Sequence, residues 1–539
     1  MPTLNWIGKE AVVNHHLHVP FHLLKDVPDM SCGDPGAGNL IVEADNLVGL
    51  KALLPYYAGR VKCICIDPPY NTGNEGWAYN DNVNSPVIRE WLGKVVGKEG
   101  ETLDRHDRWL CMMYPRLALL RQFLAEDGAI FVCIDDNEVQ RLRFVLDEVF
   151  GSQNFVATVL WQKVFAPKNS ARHFSEDHDY VVVYAKRAET WRPNLIPRSA
   201  EASERYKNPD NDPRGPWTSG DLQARNYYSE GTYPITCPSG RVIPGPGSGM
   251  YWRVSRPKFL ELDSDRRIWW GPKGNNMPRL KRFLSEVKEG VIPQTLWVHS
   301  EVGHTQEAKK ELLSILSFET SQDVFITPKP TRLIERILQI ATNPGDLVLD
   351  SFGGSGTTAH AVLKVNAATP DAEPRRFIMV ELESKIAHEV TAERVRRVAE
   401  GYKNAKGERV EGLGGGFRYC TLGDPLFDEG GTIRETVRFA DLARHVYFTE
   451  TGEPLPRERV PKSPFLGECR GVGVYLLFNG ILEDKSAGGG NVLTRAVLAK
   501  LPPFAGPKVI YCAGCLLGRE RLASENIVVR QTPYEIKVS

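Results

Sequence analysis

The chain has 539 residues, with 67 Lys plus Arg against 67 Asp plus Glu, and is 42% hydrophobic, 25% charged and 9% aromatic. Such a composition excludes a mostly disordered chain, a collagen-like repeat and a small disulfide scaffold, and the length predicts about three or four structural units. The formal net charge of zero does not exclude a polyanion partner, because a neutral total can conceal a basic face balanced by acid elsewhere.

The N-terminus, MPTLNWIGKEAVVNHHLHVP, lacks a charged segment leading into an apolar one of signal-peptide length, and no run of about 18 apolar residues occurs. A cytoplasmic location is expected. Residues 1–36 end in the turn-rich SCGDPGAG and read as an N-terminal arm. Residues 37–160 alternate between two periods. NLIVEAD, VKCICID and GAIFVCIDD have the unbroken apolar character of buried strands, while WLCMMYPRLALLRQFLAE and EVQRLRFVLDEVF have helical spacing. Strands alternating with helices imply a largely parallel α/β sheet.

The second strand delivers Asp67 to its C-terminal end, where open α/β sheets place ligands. Pro68 and Pro69 follow as a stiff, extended turn without N–H donors, and Tyr70 adds a flat ring. A carboxylate, a proline carbonyl and an aromatic face suit a planar ring bearing an amine. An ordinary strand-to-loop turn with a packed tyrosine accounts for the same four residues. The polar, glycine-containing NTGNEGWAYND beyond them favours the binding reading, as a loop able to close over a substrate.

From about residue 161 to 310 the chain is rich in Pro, Gly, Trp and Tyr and loses helical periodicity. Over residues 151–300, 22 Lys plus Arg stand against 15 Asp plus Glu, an excess of +7, and seven of the 11 Trp fall there. Cations interleaved with rings and amides, as in RRIWWGPKGNN and MPRLKRF, suit a phosphate backbone and base edges. Arg266, Arg267, Arg279, Lys281 and Arg282 are candidate DNA-backbone contacts; a solvated basic surface over core tryptophans is the alternative.

α/β grammar returns over residues 311–423. LVLDSFGGSGTTA is a strand ending in Asp350, a glycine-rich turn and a helix start, and FIMVELE brings Glu381 to the next strand end about 30 residues on. An acid there commonly binds the ribose of an adenosine cofactor. Neither the phosphate-binding GxxxxGK[ST] nor GxGxxG is matched. Residues 424–539 form a further α/β module with strands in GVYLLFNG and PKVIYCAG. The lone CxxC of Cys512 and Cys515 lacks a second ligand pair for zinc, and Cys63, Cys65 and Cys133 read as buried thiols. No metal site is expected.

IDPPY followed at a distance by DSFGGSGTT resembles the amino-methyltransferases of DNA, with the catalytic motif first, as in their β group. IDPPYNTGNEGWAYND, GHTQEAKKEL, GGGFRY and the stretches around VYLLFNGIL and QTPYEIK resemble, more narrowly, the modification subunits of type III restriction-modification systems. The resemblance covers most of the chain and is thinnest over residues 165–300. It implies a Rossmann-like core that uses S-adenosylmethionine, with an inserted target-recognition domain and a C-terminal α/β module. It implies that Asp67, Pro68, Pro69 and Tyr70 are catalytic and that Asp45, Lys329, Pro330, Asp350, Phe352, Gly354, Ser355, Gly356, Thr357 and Glu381 bind the cofactor. Gly353 departs from the family, where Ala is common, and should still fit. Asp-Pro-Pro-Tyr goes with N6 of adenine in this family; N4 of cytosine and a non-catalytic, sequence-reading subunit are the alternatives. Duplex DNA, a separate restriction or translocase subunit and a second copy of the chain are the implied partners. Ring-carbon methylation would need a Pro-Cys nucleophile, and Cys237-Pro238 is the reverse order. His106, His173, His178 and His304 are assigned no chemistry.

Overall fold

The apolar runs that end in Asp67 and Asp350 become neighbouring parallel strands at the centre of one large sheet. A computed structural model describes residues 3–34, 37–72, 86–96, 104–198, 204–287, 290–316, 318, 327–404, 406–428, 431–456, 460, 462–478, 481 and 490–532. The loop expected to close over a substrate falls mostly outside these residues. So does part of the C-terminal resemblance, around VYLLFNGIL and QTPYEIK.

Ten strands of the sheet are β1 (His22–Asp26), β2 (Leu40–Glu43), β3 (Val61–Ile66), β4 (Leu124–Ile134), β5 (Phe155–Gln162), β6 (His178–Ala185), β7 (Leu296–Trp297), β8 (Leu347–Asp350), β9 (Arg376–Glu381) and β10 (Gly416–Pro425). They lie in the order β1-β10-β2-β9-β8-β3-β4-β6-β5-β7. From β10 to β4 every neighbouring pair is parallel, whereas β6 runs antiparallel between β4 and β5. The chain leaves β8 toward β9 and leaves β3 toward β4, in opposite directions. The strand order therefore reverses between β8 and β3, and a crevice opens beyond their C-terminal ends.

The main helices are α1 (Asn46–Tyr57), α2 (Arg105–Phe123), α3 (Val139–Phe150), α4 (Thr305–Ile315), α5 (Thr331–Ala341), α6 (Thr357–Ala367) and α7 (Glu393–Glu400). Asp45 caps α1 and Asp104 caps α2, each carboxylate accepting two backbone N–H groups of the first turn. The helix expected over HEVTAERVRRVAEGY contains a π turn, Ala387–Ala392, where Thr391 Oγ1 donates to Gly354 O at 2.6 Å.

Two compact units are present, residues 1–194 with 294–539, and residues 195–293. The second is narrower than the insert expected over 161–310, because β5, β6 and β7 belong to the main sheet. The expected N-terminal arm is not separate either: β1 pairs with β10, and Val12, Val19 and Phe21 are buried in the main core. In the C-terminal stretch, Leu442, Val446, Val474 and Tyr511 share that core with Leu50 and Leu53 of α1. The 195–293 unit has its own core of Tyr233, Trp252, Phe259 and Trp270, so several of the tryptophans are structural. All ten cysteines are free, and among the described residues no cluster with metal-ligand spacing and no helix able to cross a membrane occurs.

Candidate active site

Asp67 follows β3 directly. Lys329 Nζ donates to its Oδ2 at 2.5 Å, whereas Oδ1 is buried and accepts no hydrogen bond. Burial pushes the Asp67 carboxyl up, and Lys329 only partly holds it down. Burial opposes the Lys329 charge, but Asp67 outweighs it and the ammonium is held on. That ammonium lies 4.9 Å from the centre of the Tyr70 ring and 5.9 Å from that of Trp161.

The turn itself is braced from behind. Trp109 Nε1 donates to Pro69 O at 2.7 Å. Asn71, in the left-handed region at φ 57°, is tied by its amide to Glu138 and to Arg105 O. Glu138 is fully buried and meets His106 Nδ1 at 2.5 Å. His106 thus braces the turn through Glu138 and Asn71. On the other side, Tyr70 Oη donates to Asp179 Oδ2 at 3.5 Å, and Asp179 is neutralised by Lys163 at 2.6 Å.

These groups wall a cavity of about 550 Å³ lined by Asp67, Pro68, Tyr70, Trp161, Lys163 and Asp179. Asp67 and Lys329 also line a second, narrow crevice of about 30 Å³ against the glycine turn, with Asp350, Phe352, Gly354, Ser355 and Thr357. The pair is therefore the shared wall of two spaces.

Asp350 accepts from Phe352 N at 3.0 Å and Thr358 Oγ1 at 2.6 Å, and burial still pushes its carboxyl up to about 7. Glu381 accepts from Gly354 N at 2.6 Å and Glu383 N at 3.0 Å, and burial raises it too. Gly356 has φ 74°, and a Cβ there would lie 3.1 Å from Thr391 O, so glycine is required. At Gly353 φ is not in the left-handed region, and a Cβ would sit a tight 3.2 Å from Val380 O. Ser355 and Thr357 are held from below by the fully buried Arg394, which donates to Thr357 Oγ1 at 2.9 Å and Ser355 O at 3.1 Å. Thr357 Oγ1 also reaches Lys329 O at 3.3 Å, tying the two sides of the crevice together.

Asp45 and Pro330 stand apart from the two spaces. Asp45 caps α1 and binds Arg116 Nη2 at 2.8 Å; Pro330 precedes α5. In the 195–293 unit, Arg266, Arg279 and Arg282 are exposed, although Arg279 is also paired with Asp221 at 3.0 Å. Lys281 is not available to a phosphate: it is 4% exposed and paired with Asp210 and with Asp212 at 2.9 Å. Arg267 is engaged by Asp265 at 2.6 Å and by Glu286 at 2.7 Å. Along the strand Arg279–Phe283, Lys281 and Phe283 share one face and are buried, whereas Arg282 lies on the other and is exposed.

Sequence reasoning missed Lys163, Asp179, Trp161, Trp109, Glu138 and Arg394. The apolar character of the β5 and β6 segments is visible in the sequence, but their antiparallel register, which sets Trp161 opposite Asp179, is not.

Residues 61–393 match the family model described as DNA methylase, of the N6/N4 methyltransferase kind. The StyLTI Mod subunit of a type III restriction-modification enzyme, from Salmonella typhimurium, is 33% identical over 387 residues, covering 67% of this chain and 57% of its own. The EcoPI Mod subunit from Escherichia phage P1 is 31% identical over 431 residues, 71% of this chain and 64% of its own. The type II methyltransferase M.KpnI of Klebsiella pneumoniae is 26% identical over 404 residues, 68% and 89%. The chain thus spans less than two thirds of the length of these two type III relatives.

Proposed function

The chain belongs to the N6/N4 DNA methylase family, and on that premise we propose that it transfers a methyl group from S-adenosylmethionine to N6 of adenine in duplex DNA, as the modification component of a restriction-modification system. The observation that carries the reading is the shared wall: Asp67 and Lys329 line both the cavity at Tyr70 and the crevice at the glycine turn. A reacting amine on one side and a methyl donor on the other would meet there. Proximity and orientation alone can supply much of the acceleration of such a transfer.

The residues present fit the cofactor. Asp350 and Glu381 are buried carboxyls without a cationic partner in contact, and Ser351 Oγ is buried without a hydrogen-bond partner. A ligand with an ammonium, a sulfonium and ribose hydroxyls would satisfy them. When bound, S-adenosylmethionine supplies a methyl group activated by its sulfonium. Asp350, Phe352, Gly354, Ser355, Gly356, Thr357 and Glu381 would hold it, with the Lys329 and Pro330 segment closing the far side and Asp45 orienting α1 beside it.

Asp67 Oδ1 is free to accept an N6 hydrogen while Oδ2 stays on Lys329, which keeps the carboxylate aimed. A second acceptor would be the Pro68 carbonyl, with Pro69 fixed by Trp109. Tyr70 would stack on the extruded base, its hydroxyl held by Asp179. Arg266, Arg279 and Arg282 of the 195–293 unit would contact the DNA backbone. The names of the type III relatives support a separate restriction subunit as a partner, and a second copy of the chain is the further expectation.

Sequencing of native DNA modifications in cells with and without the protein tests the reading. It should show N6-methyladenine at one short sequence only when the protein is present. N4-methylcytosine at that site, identified by mass spectrometry of the nucleosides, would establish the alternative. Absence of transfer from labelled cofactor to DNA containing all short contexts would exclude both.

A further inference from the structure

Between β5 and β6 the chain makes a long hairpin loop, residues 163–177. Lys163 N donates to Asp177 O at 2.9 Å at its base, and Lys168 N donates to Ser175 Oγ at 2.8 Å at its neck. The tip beyond the neck, from Lys168 to Ser175 (KNSARHFS), carries Lys168, Arg172 and His173 and no acid. Its acids, Glu176 and Asp177, lie below the neck, where Asp177 accepts from Ser175. The arms of the loop reach the cavity, whose rim includes Phe165, Lys168 and Glu176 alongside Asp67 and Tyr70.

Two phenylalanines of this loop are exposed, in different ways. Phe165 is 65% exposed and meets the His299 ring edge-on, with centres 5.3 Å apart. Phe174, at the tip, is 91% exposed, more than any other large apolar side chain among the described residues. A ring so exposed contributes nothing to the core, and its setting among the cations of the tip is what distinguishes it from the other exposed apolar side chains. The cations around it suit a polyanion, and the ring suits the apolar faces of stacked bases. Both occur together in a duplex at a step from which one base has left the stack, and side chains of this kind wedge into such steps.

We propose that loop 163–177 enters the DNA beside the target adenine, with Phe174 taking the place of the extruded base and Lys168 and Arg172 holding the flanking phosphates. The proposal rests on the methyltransferase reading. It assigns base extrusion to the core unit and leaves sequence reading to the 195–293 unit.

The test compares two duplexes carrying the mapped target site: one fully paired, one with the target adenine opposite an abasic gap. Phe174→Ala in the full chain should lower methyl transfer to the paired duplex about tenfold or more, and to the opened duplex less than about twofold, because the pairing that opposes extrusion is already gone there and only stacking has to be lost. Lys168→Ala combined with Arg172→Ala should reduce the salt dependence of DNA affinity, measured by fluorescence anisotropy, by about two in the log–log slope. Equal loss on both duplexes, or wild-type rates on the paired one, would overturn the proposal. So would a Phe174→Ala effect confined to association with a protein partner. Failure of the wild-type chain to methylate either duplex would instead sink the methyltransferase reading, and this proposal with it.

Discussion

Lys329 Nζ and Asp67 Oδ2 are 2.5 Å apart, although 262 residues separate them in sequence. The contact occupies one oxygen of the carboxylate and leaves the other buried and unpartnered. Its position between the two spaces makes it the first place to test.

Asp67→Asn keeps the shape and removes the charge that would favour an attacking amine. The loss expected for a preorganised electrostatic group is about a hundredfold or more in kcat. Asp67 must be ionised to act, and its carboxyl is already raised, so activity should climb as pH rises through that range. In Lys329→Met the opposing cation is gone and the limb should move to higher pH. Rate–pH profiles of the two variants decide the matter: an unmoved limb in Lys329→Met would sink the assignment.

Tyr70 is expected to act through its ring more than its hydroxyl, whose hydrogen bond to Asp179 is long at 3.5 Å. Tyr70→Phe should retain activity within about tenfold, since a hydrogen bond to a carboxylate contributes about 1.5–3 kcal/mol at good geometry and one of 3.5 Å lies at or below the low end of that range. Tyr70→Ala should lose about 1–3 kcal/mol of stacking, roughly ten- to hundredfold in kcat/KM. Steady-state kinetics on the mapped target duplex separates the two, and equal losses would argue against stacking.

Asp350 gives a pH signature for cofactor binding. Burial raises it to about 7 from an ordinary value of 3.8, so between those values the folded chain holds a proton that the unfolded chain releases. Its contribution to stability therefore falls as pH rises from about 4 to about 7. A cationic ligand favours the ionised form, so S-adenosylmethionine affinity should increase between pH 6 and 8 with release of a proton. Calorimetry in two buffers of different ionisation enthalpy would detect that proton, and Asp350→Asn should abolish it.

Lys281 and Arg282 are adjacent in sequence and opposite in expected effect. Lys281→Met leaves Asp212, itself 2% exposed on its side chain, without one of its two cations, while Arg214 still holds both of its oxygens at 3.0 Å; the cost should therefore fall below the about 3–5 kcal/mol of an uncompensated buried charge. The melting temperature should fall accordingly. Arg282→Ala should leave melting unchanged and weaken DNA affinity and its salt dependence. Thermal melts and anisotropy titrations on both variants test the inward and outward assignment.

Much of the site was legible because strand ends advertise themselves. Asp67, Asp350 and Glu381 each follow an unbroken apolar run, and each lies at the C-terminal end of a central strand. What could not be read was pairing. Asp45 looked like a ligand contact because it is an acid after a strand, yet the same position is a helix cap, and Arg116 completes its coordination from a helix far along the chain. Lys281 looked solvent-facing because lysine usually is; only its place in a strand, with Phe283 on the same side, turns it inward. The expected insert began too early because β6 follows β5 only after a long polar loop, residues 163–177, and pairs back antiparallel, so its apolar run does not continue the strand–helix alternation before it.

The strand order has a consequence for synthesis. β3 lies between β8 and β4, but β8 follows it by 280 residues. At about 5–20 residues per second, the ribosome needs roughly 15–60 s to deliver the missing neighbour. For that time the nascent chain carries the strand that leads into Asp67 with one flank open. A product truncated before β8 would lack Asp350 and the whole glycine turn, and with them the wall of the crevice that faces Asp67 and Lys329.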